Sequence, residues 1–207
     1  MERKRKKKQK KGHRLFLSFK VTQDVRDIAR DVRRELKTQE YKLRFTELEE
    51  LHLTIKFLGN DVSDQSLQII EQKLPGIFKR YAPFKLKVNG VQFGFERQTK
   101  PRILFLQIED TSDVLDIKSR VNKEIKELYL RDVIRRADRK IFTSHVTIAR
   151  VDRDISKSYV NEVNEVLSDL EVPEVEFEIS AAHIIESVLT KNGPKYSTIS
   201  SFPLRGR

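Results

Sequence analysis

The chain has 207 residues, 42 Lys and Arg against 31 Asp and Glu, and no cysteine, which excludes disulfides and thiolate catalysis and fits a reducing compartment. It contains no run of 18 apolar residues, and its amino terminus lacks the apolar segment of a signal peptide, so the expected setting is cytoplasmic, without a membrane span. The net charge of +11 is concentrated: residues 1–11, MERKRKKKQKK, hold eight bases and one acid, leaving the remainder at 34 − 30 = +4. A like-charge run of this kind repels itself, so residues 1–13 are read as a disordered basic tail: a solvated extension, an RNA-affinity segment or a localisation signal.

After the tail, Arg14–Phe19 reads as an apolar strand, and residues 23–37 have the 3.6-residue spacing of an amphipathic helix. Leu51-His52-Leu53-Thr54-Ile55-Lys56-Phe57 alternates apolar and polar with period two, the pattern of a half-buried strand that shows His52, Thr54 and Lys56 on one face. A helical segment follows from Asp61 to about Arg80, with Asn60, Asp61 and Ser63 as capping candidates, and then a strand from Phe84 to Phe95. The order then starts again. A strand at residues 102–107 precedes a helix at 113–130, a strand Ser144-His145-Val146-Thr147-Ile148-Ala149-Arg150, a helix from Ile155 to about Leu170 capped near Asp154 or Ser156, and an alternating strand Val175–Ser187.

Two strand-helix-strand-helix-strand halves, about 14–97 and 98–207, thus follow one another, and the frame His-x-Thr sits at the same place in each, 93 positions apart. Random placement of the histidines and threonines would give about 0.2 such frames in a chain of this length. Duplicated halves related by an approximate two-fold axis would bring both His-x-Thr faces to one cleft. The fold expected is α+β: one bilobal domain over residues 14–207, with mainly antiparallel sheets lining a central cleft and helices outside.

Two imidazoles and two hydroxyls around a cleft suit phosphodiester chemistry. A neutral histidine takes a proton, a protonated one delivers a proton, and hydroxyl donors hold the charge on the phosphoryl oxygens. The bland alternative is that His and Thr merely line the wet faces of two strands. No His-x-His, His-Glu-x-x-His or cysteine pair offers a zinc site, and Gly59, Gly90 and Gly94 make no phosphate or dinucleotide loop, so neither metal nor cofactor is expected. His13, beside the tail, and His183, in an alternating strand, are read as structural or surface residues. Phe93 and Phe95 are candidates for base stacking or, at strand spacing, for ordinary packing.

The blocks Leu51–Gly59 and Phe142–Arg150, the opening Arg14-Leu15-Phe16, Phe93-Gly94 with Pro101–Leu104, and the closing Glu186-Ser187, Gly193, Tyr196 and Phe202-Pro203-Leu204 resemble the two-histidine (2H) phosphoesterases. The resemblance is to their RNA 2′,3′-cyclic phosphodiesterases, the LigT-like 2′-5′ RNA ligases, and spans most of residues 14–204. It implies His52 as proton donor, His145 as the acceptor that activates water, Thr54 and Thr147 on the phosphate, Arg150 as a substrate-binding arginine, and RNA with a 2′,3′-cyclic phosphate end as substrate of a monomeric enzyme. Lys56, on the face of His52, is a second candidate for a phosphate contact, against a solvated lysine. Strict alternation places Arg150 away from His145, so it needs a strand end, twist or bulge to reach the cleft. Ser144 stands where the family usually has proline before the histidine. Other readings are a silent RNA-binding module and a 2H esterase acting on small cyclic phosphates of nucleotides or ADP-ribose.

Overall fold

In the computed structural model, residues 12–37, 43–95, 100–134, 143–151, 155–191 and 193–206 are described. The basic run 1–11, the landmark Phe142 and the capping candidate Asp154 lie outside them. The first half supplies β1 (His13–Lys20), α1 (Gln23–Lys37), a short β2 (Leu43–Phe45), β3 (His52–Val62), α2 (Asp64–Lys73), the single turn α3 (Pro75–Phe78) and β4 (Phe84–Phe93). The second supplies β5 (Ile103–Ile108), α4 (Ser112–Leu130), β6 (His145–Val151), α5 (Lys157–Ser168), β7 (Val175–Ile179), β8 (Ala181–Thr190) and β9 (Gly193–Pro203). Of the capping candidates, Ser63 and Ser156 cap α2 and α5, and Thr111, not singled out from the sequence, caps α4: each hydroxyl accepts the backbone N–H three residues on, satisfying one of the free donors of the first turn.

Among the described residues nine strands join one antiparallel sheet in the order β7-β4-β5-β6-β3-β1-β8-β9, with β2 beside β6. About the β6–β3 boundary, where Leu53 pairs with Val146, equivalent strands of the two halves flank one another, β5 against β1 and then β4 against β8. The two sequence halves are interleaved: β4 leaves its own half to pair with β5, and β8 returns to pair with β1. The expected single strand Val175–Ser187 is two strands, interrupted at Ser180, because β7 pairs with β4 in one lobe while β8 pairs with β1 in the other. The strand β9 was not anticipated, its polar residues lacking a clear apolar alternation.

Alternation and helical spacing place the core on one face of this sheet. Leu15, Leu17 and Phe19 of β1, Leu53 and Ile55 of β3, and Val146 and Ile148 of β6 meet Val25, Ile28, Val32 and Leu36 of α1 and Val114, Ile117, Val121, Ile125 and Leu128 of α4 in a single apolar cluster. Phe16, Phe105 and Ile185 are also buried but stand apart from that cluster, on the opposite face. The helices therefore cover one side and leave the other to the two His-x-Thr strands. Among the described residues no helix is long and apolar enough to cross a membrane.

Candidate active site

His52 and Thr54 of β3 and His145 and Thr147 of β6 are half-buried, while the residues between and after them, Leu53, Ile55, Val146 and Ile148, are in the core. Carrying the Leu53–Val146 pairing one residue either way sets His52 opposite Thr147 and Thr54 opposite His145, so the duplicated frames meet face to face at the two-fold boundary.

Each imidazole is oriented by the same device. Nδ1 of His52 donates to the carbonyl oxygen of Glu50 at 2.7 Å, and Nδ1 of His145 donates to that of Thr143 at 2.7 Å, two acceptors that are themselves 93 positions apart. A carbonyl only accepts, so Nδ1 carries the proton in both rings and Nε2 is the atom left to exchange a proton with a substrate. Burial pushes the pKa of His52 below 6.5, with the cations of Arg150 and His145 acting in the same direction against the Glu50 hydrogen bond. Burial likewise lowers His145, assisted by the charges of Lys118 and Arg150 and opposed by the Thr143 hydrogen bond.

Arg150 is turned out of the core by an irregularity in β6. Along β5, Leu104 pairs with Ala149 and the next residue, Phe105, pairs with Thr147, so Ile148 is an extra residue. Ile148 and Ala149 are both buried and Arg150 turns out of the core. There its charge acts on both histidines and on the phenol of Tyr196.

The expectation for Lys56 is corrected. β3 has its own extra residue at Ile55, between the pairs Leu17–Lys56 and Ser18–Thr54, which shifts the alternation and turns Lys56 away from His52. Lys56 is 2% exposed, and its Nζ donates to Oδ1 of Asn122 on α4 at 2.6 Å. It is a buried strand-to-helix tie.

Four aromatic rings wall the two imidazoles. Phe16 of β1 stacks on His52 with centroids 4.7 Å apart, and Tyr196 of β9 meets His52 edge-on at 5.1 Å. Phe105 of β5 and Phe95 each lie edge-on to His145 at 5.2 Å and stack on each other at 4.9 Å. Phe95 thus belongs to the histidine's surroundings, whereas Phe93 is core, against Tyr159. Reading the sequence gave no role to Phe16 or Tyr196; the available signal was that Phe16 occupies the polar phase of β1, out of step with Leu15, Leu17 and Phe19. Burial raises the Tyr196 pKa, keeping its phenol a donor.

The remaining histidines lie elsewhere. His13 is held between Asp64 at 2.7 Å and Glu186 at 2.6 Å. His183 shares the face of Thr54 through Ser18, two strands away, with Nδ1 2.9 Å from the hydroxyl of Ser201, and burial pushes it down to about 4.

The sequence matches the family described as LigT like Phosphoesterase over residues 19–105. An RNA 2′,3′-cyclic phosphodiesterase of Aquifex aeolicus is 28% identical over 93% of this chain and 98% of its own, and one of Thermotoga maritima is 24% identical over 93% and 96%. Among solved structures, a protein of Thermus thermophilus superposes with a TM-score of 0.75 at 23% identity, covering 93% of this chain and 98% of its own. Escherichia coli LigT superposes at 0.69 and 16% identity, over 94% and 98%. The chain is thus similar to the LigT-like phosphoesterases, by a family match over residues 19–105, by relatives aligned along nearly its whole length and by a shared fold.

Proposed function

We propose that the chain hydrolyses the 2′,3′-cyclic phosphate at an RNA end to a 2′-phosphate, using two histidines and no metal. The observation behind this reading is the pair of equivalent Nδ1–carbonyl bonds, which leave His52 and His145 each with Nε2 as the exchanging atom on one face of the sheet. The names of the full-length relatives supply the substrate class.

In this scheme Nε2 of neutral His145 takes a proton from water as its oxygen bonds to phosphorus, the bond from phosphorus to O3′ breaks, and protonated His52 delivers its Nε2 proton to O3′. The products are a 2′-phosphomonoester and a 3′-hydroxyl. The hydroxyls of Thr54 and Thr147 and the guanidinium of Arg150 hold the non-bridging oxygens while charge builds on them. With the 5′-hydroxyl of a second RNA attacking phosphorus in place of water, the same proton transfers break the bond to O3′ and form a 2′-5′ linkage.

The test is an oligonucleotide ending in a 2′,3′-cyclic phosphate, incubated with the protein in EDTA, with the product isomer identified. A terminal 2′-phosphate is expected. Unchanged RNA would mark a binding module, and faster turnover of a mononucleotide cyclic phosphate than of the oligonucleotide would mark a small-molecule esterase. His52→Ala and His145→Ala should each lower turnover by about 10²- to 10⁴-fold, and full activity in either variant overturns the assigned roles.

A further inference from the structure

The two halves of the site differ behind the histidines. Lys118 of α4 is 3% exposed, with Nζ 2.9 Å from Oδ1 of Asp110 and 2.7 Å from Oγ of Ser144, and Ser144 in turn donates to the same Asp110 oxygen at 2.5 Å. This closed triangle ties the helix and the loop after β5 to the residue that precedes His145. Ser144 is itself 2% exposed, and its carbonyl accepts from the backbone N–H of Ile108 at 3.3 Å. Among the described residues, nothing comparable stands behind His52. The residue preceding it is Leu51, and aligning Val25, Ile28 and Val32 of α1 with Val114, Ile117 and Val121 of α4 puts Ala29 at the place of Lys118; both Leu51 and Ala29 are buried in the apolar core.

A lysine in such a place is costly unless it is paired, and here Asp110 and Ser144 pair it at the entrance to one histidine strand. The position taken by Ser144 is the one where the resembling family usually has proline. Proline stiffens a strand entry by fixing φ; here a hydroxyl bonded to a buried ion pair fixes it from the side.

We propose that Lys118, held by Asp110 and Ser144, is a positioning residue that fixes the Thr143–Ser144 backbone beneath His145 and biases that imidazole toward its neutral, proton-accepting form, making two otherwise equivalent histidines unequal. The bond from His145 to the Thr143 carbonyl depends on where that backbone lies, and the charge of Lys118 opposes a second proton on the ring. The charged groups that act on His145 or its neighbour are Lys118 from α4, Arg150 from its own strand and His52 from β3, with Asp110 offsetting part of the Lys118 charge. The inference deepens the reading of His145 as the base and rests on it for its catalytic meaning.

The test is an NMR titration of the His145 ring, with kcat/KM against pH, in Lys118→Gln and Lys118→Met. Gln keeps a donor for Ser144 and Asp110 without the charge, so it provides a folded protein even where Met does not. His145 should titrate at least about half a pH unit higher in either variant, carrying the acidic limb of kcat/KM, a property of the coupled pair, in the same direction and lowering the rate below that limb by up to about threefold. Ser144→Ala should lower kcat with KM retained. Lys56→Met, which removes another buried lysine bonded to α4, should leave the His145 titration in place. An unmoved His145 titration in folded Lys118→Gln, or an equal shift in Lys56→Met, overturns the proposal and leaves the site reading intact; an active His145→Ala overturns the site reading, whatever the titration shows.

Discussion

Ile55 of β3 and Ile148 of β6, 93 positions apart, are both extra residues in the pairing of their strands, the first passed over by β1 and the second by β5. Each follows a His-x-Thr frame, and each is buried with the residue after it, Lys56 in one strand and Ala149 in the other. The duplicated irregularity sets what lies beyond the threonine: the third residue after Thr54 is Phe57 and the third after Thr147 is Arg150, both turned out of the core. Phe57 is covered by the Arg14 guanidinium, 5.1 Å from its ring centroid. One lobe therefore brings its cation from β1 across an aromatic ring, and the other brings it directly on the histidine strand.

Because Arg150 acts on both imidazoles and on Tyr196, its removal should be felt in binding and in titration together. Arg150→Ala is expected to lose about ten- to a hundredfold in kcat/KM, the range for a hydrogen bond to a charged group, mainly through KM. Both histidines should titrate higher, since a cation that opposes their protonation is gone. Steady-state kinetics with ring titration of the same variant checks both effects, and a variant with unchanged KM and unchanged titrations contradicts this placement of the side chain.

The pH dependence follows from burial. Both catalytic candidates are held below 6.5, first by loss of hydration and then by neighbouring cations, so kcat/KM against pH should trace a bell displaced to the acid side of that value. Its limbs belong to the coupled pair, because the charge of His145 acts on the proton of His52. A rate that rises steadily from pH 6 to 9 would be incompatible with a protonated imidazole as the acid.

Much of the site was legible because period two is a strong signal and the frame occurs twice: His52, Thr54, His145 and Thr147 share a face for the reason that alternating residues on any strand do. What lay beyond the bulges was not. An inserted residue leaves no mark in apolar alternation, so Lys56 read as facing the cleft and Arg150 as facing away, and both placements are reversed. Phe16 and Tyr196 come to His52 from β1 and β9, at opposite ends of the chain, through pairings that spacing alone does not reveal. The exchange of β4 and β8 between halves was hidden similarly, since each strand's pattern says that it is half-buried and not which neighbour it joins. The lysine in the apolar stripe of α4 was visible as an interruption at residue 118, but its partners Asp110 and Ser144 are brought to it only by the fold.

For Lys56 the expectation is a loss of stability without a loss of chemistry. Replacing it by Met keeps much of the apolar stem and leaves Oδ1 of Asn122 without this donor, at a cost of about 1–3 kcal/mol for a buried polar group losing its partner. Denaturant unfolding should show the lower midpoint, and kcat/KM per folded molecule should stay within about twofold, a difference well below the 1.4 kcal/mol that makes a factor of ten. A large fall in KM-dependent activity at full stability would return Lys56 to the substrate.

The two histidines outside the site should shape stability in opposite pH ranges. His13 is raised above 6.5, first by its hydrogen bond to Asp64 and then by that to Glu186, so the folded state holds its proton more tightly than the unfolded one. That contribution is complete below about 6.5 and disappears as pH rises through the raised folded value. His183 is pushed down to about 4 by burial and then by Lys20, so the unfolded chain binds its proton first; its neutral form supports the fold above about 6.5, and the support is lost as pH falls toward 4. His13→Gln should therefore lower Tm more at pH 5.5 than at pH 9, and His183→Gln, which keeps a partner for Ser201, should flatten the fall of Tm between pH 6.5 and 4. Thermal melts of the parent and both variants across that range decide the matter: curves that run parallel at every pH would mean that neither ring titrates differently in the folded and unfolded chain.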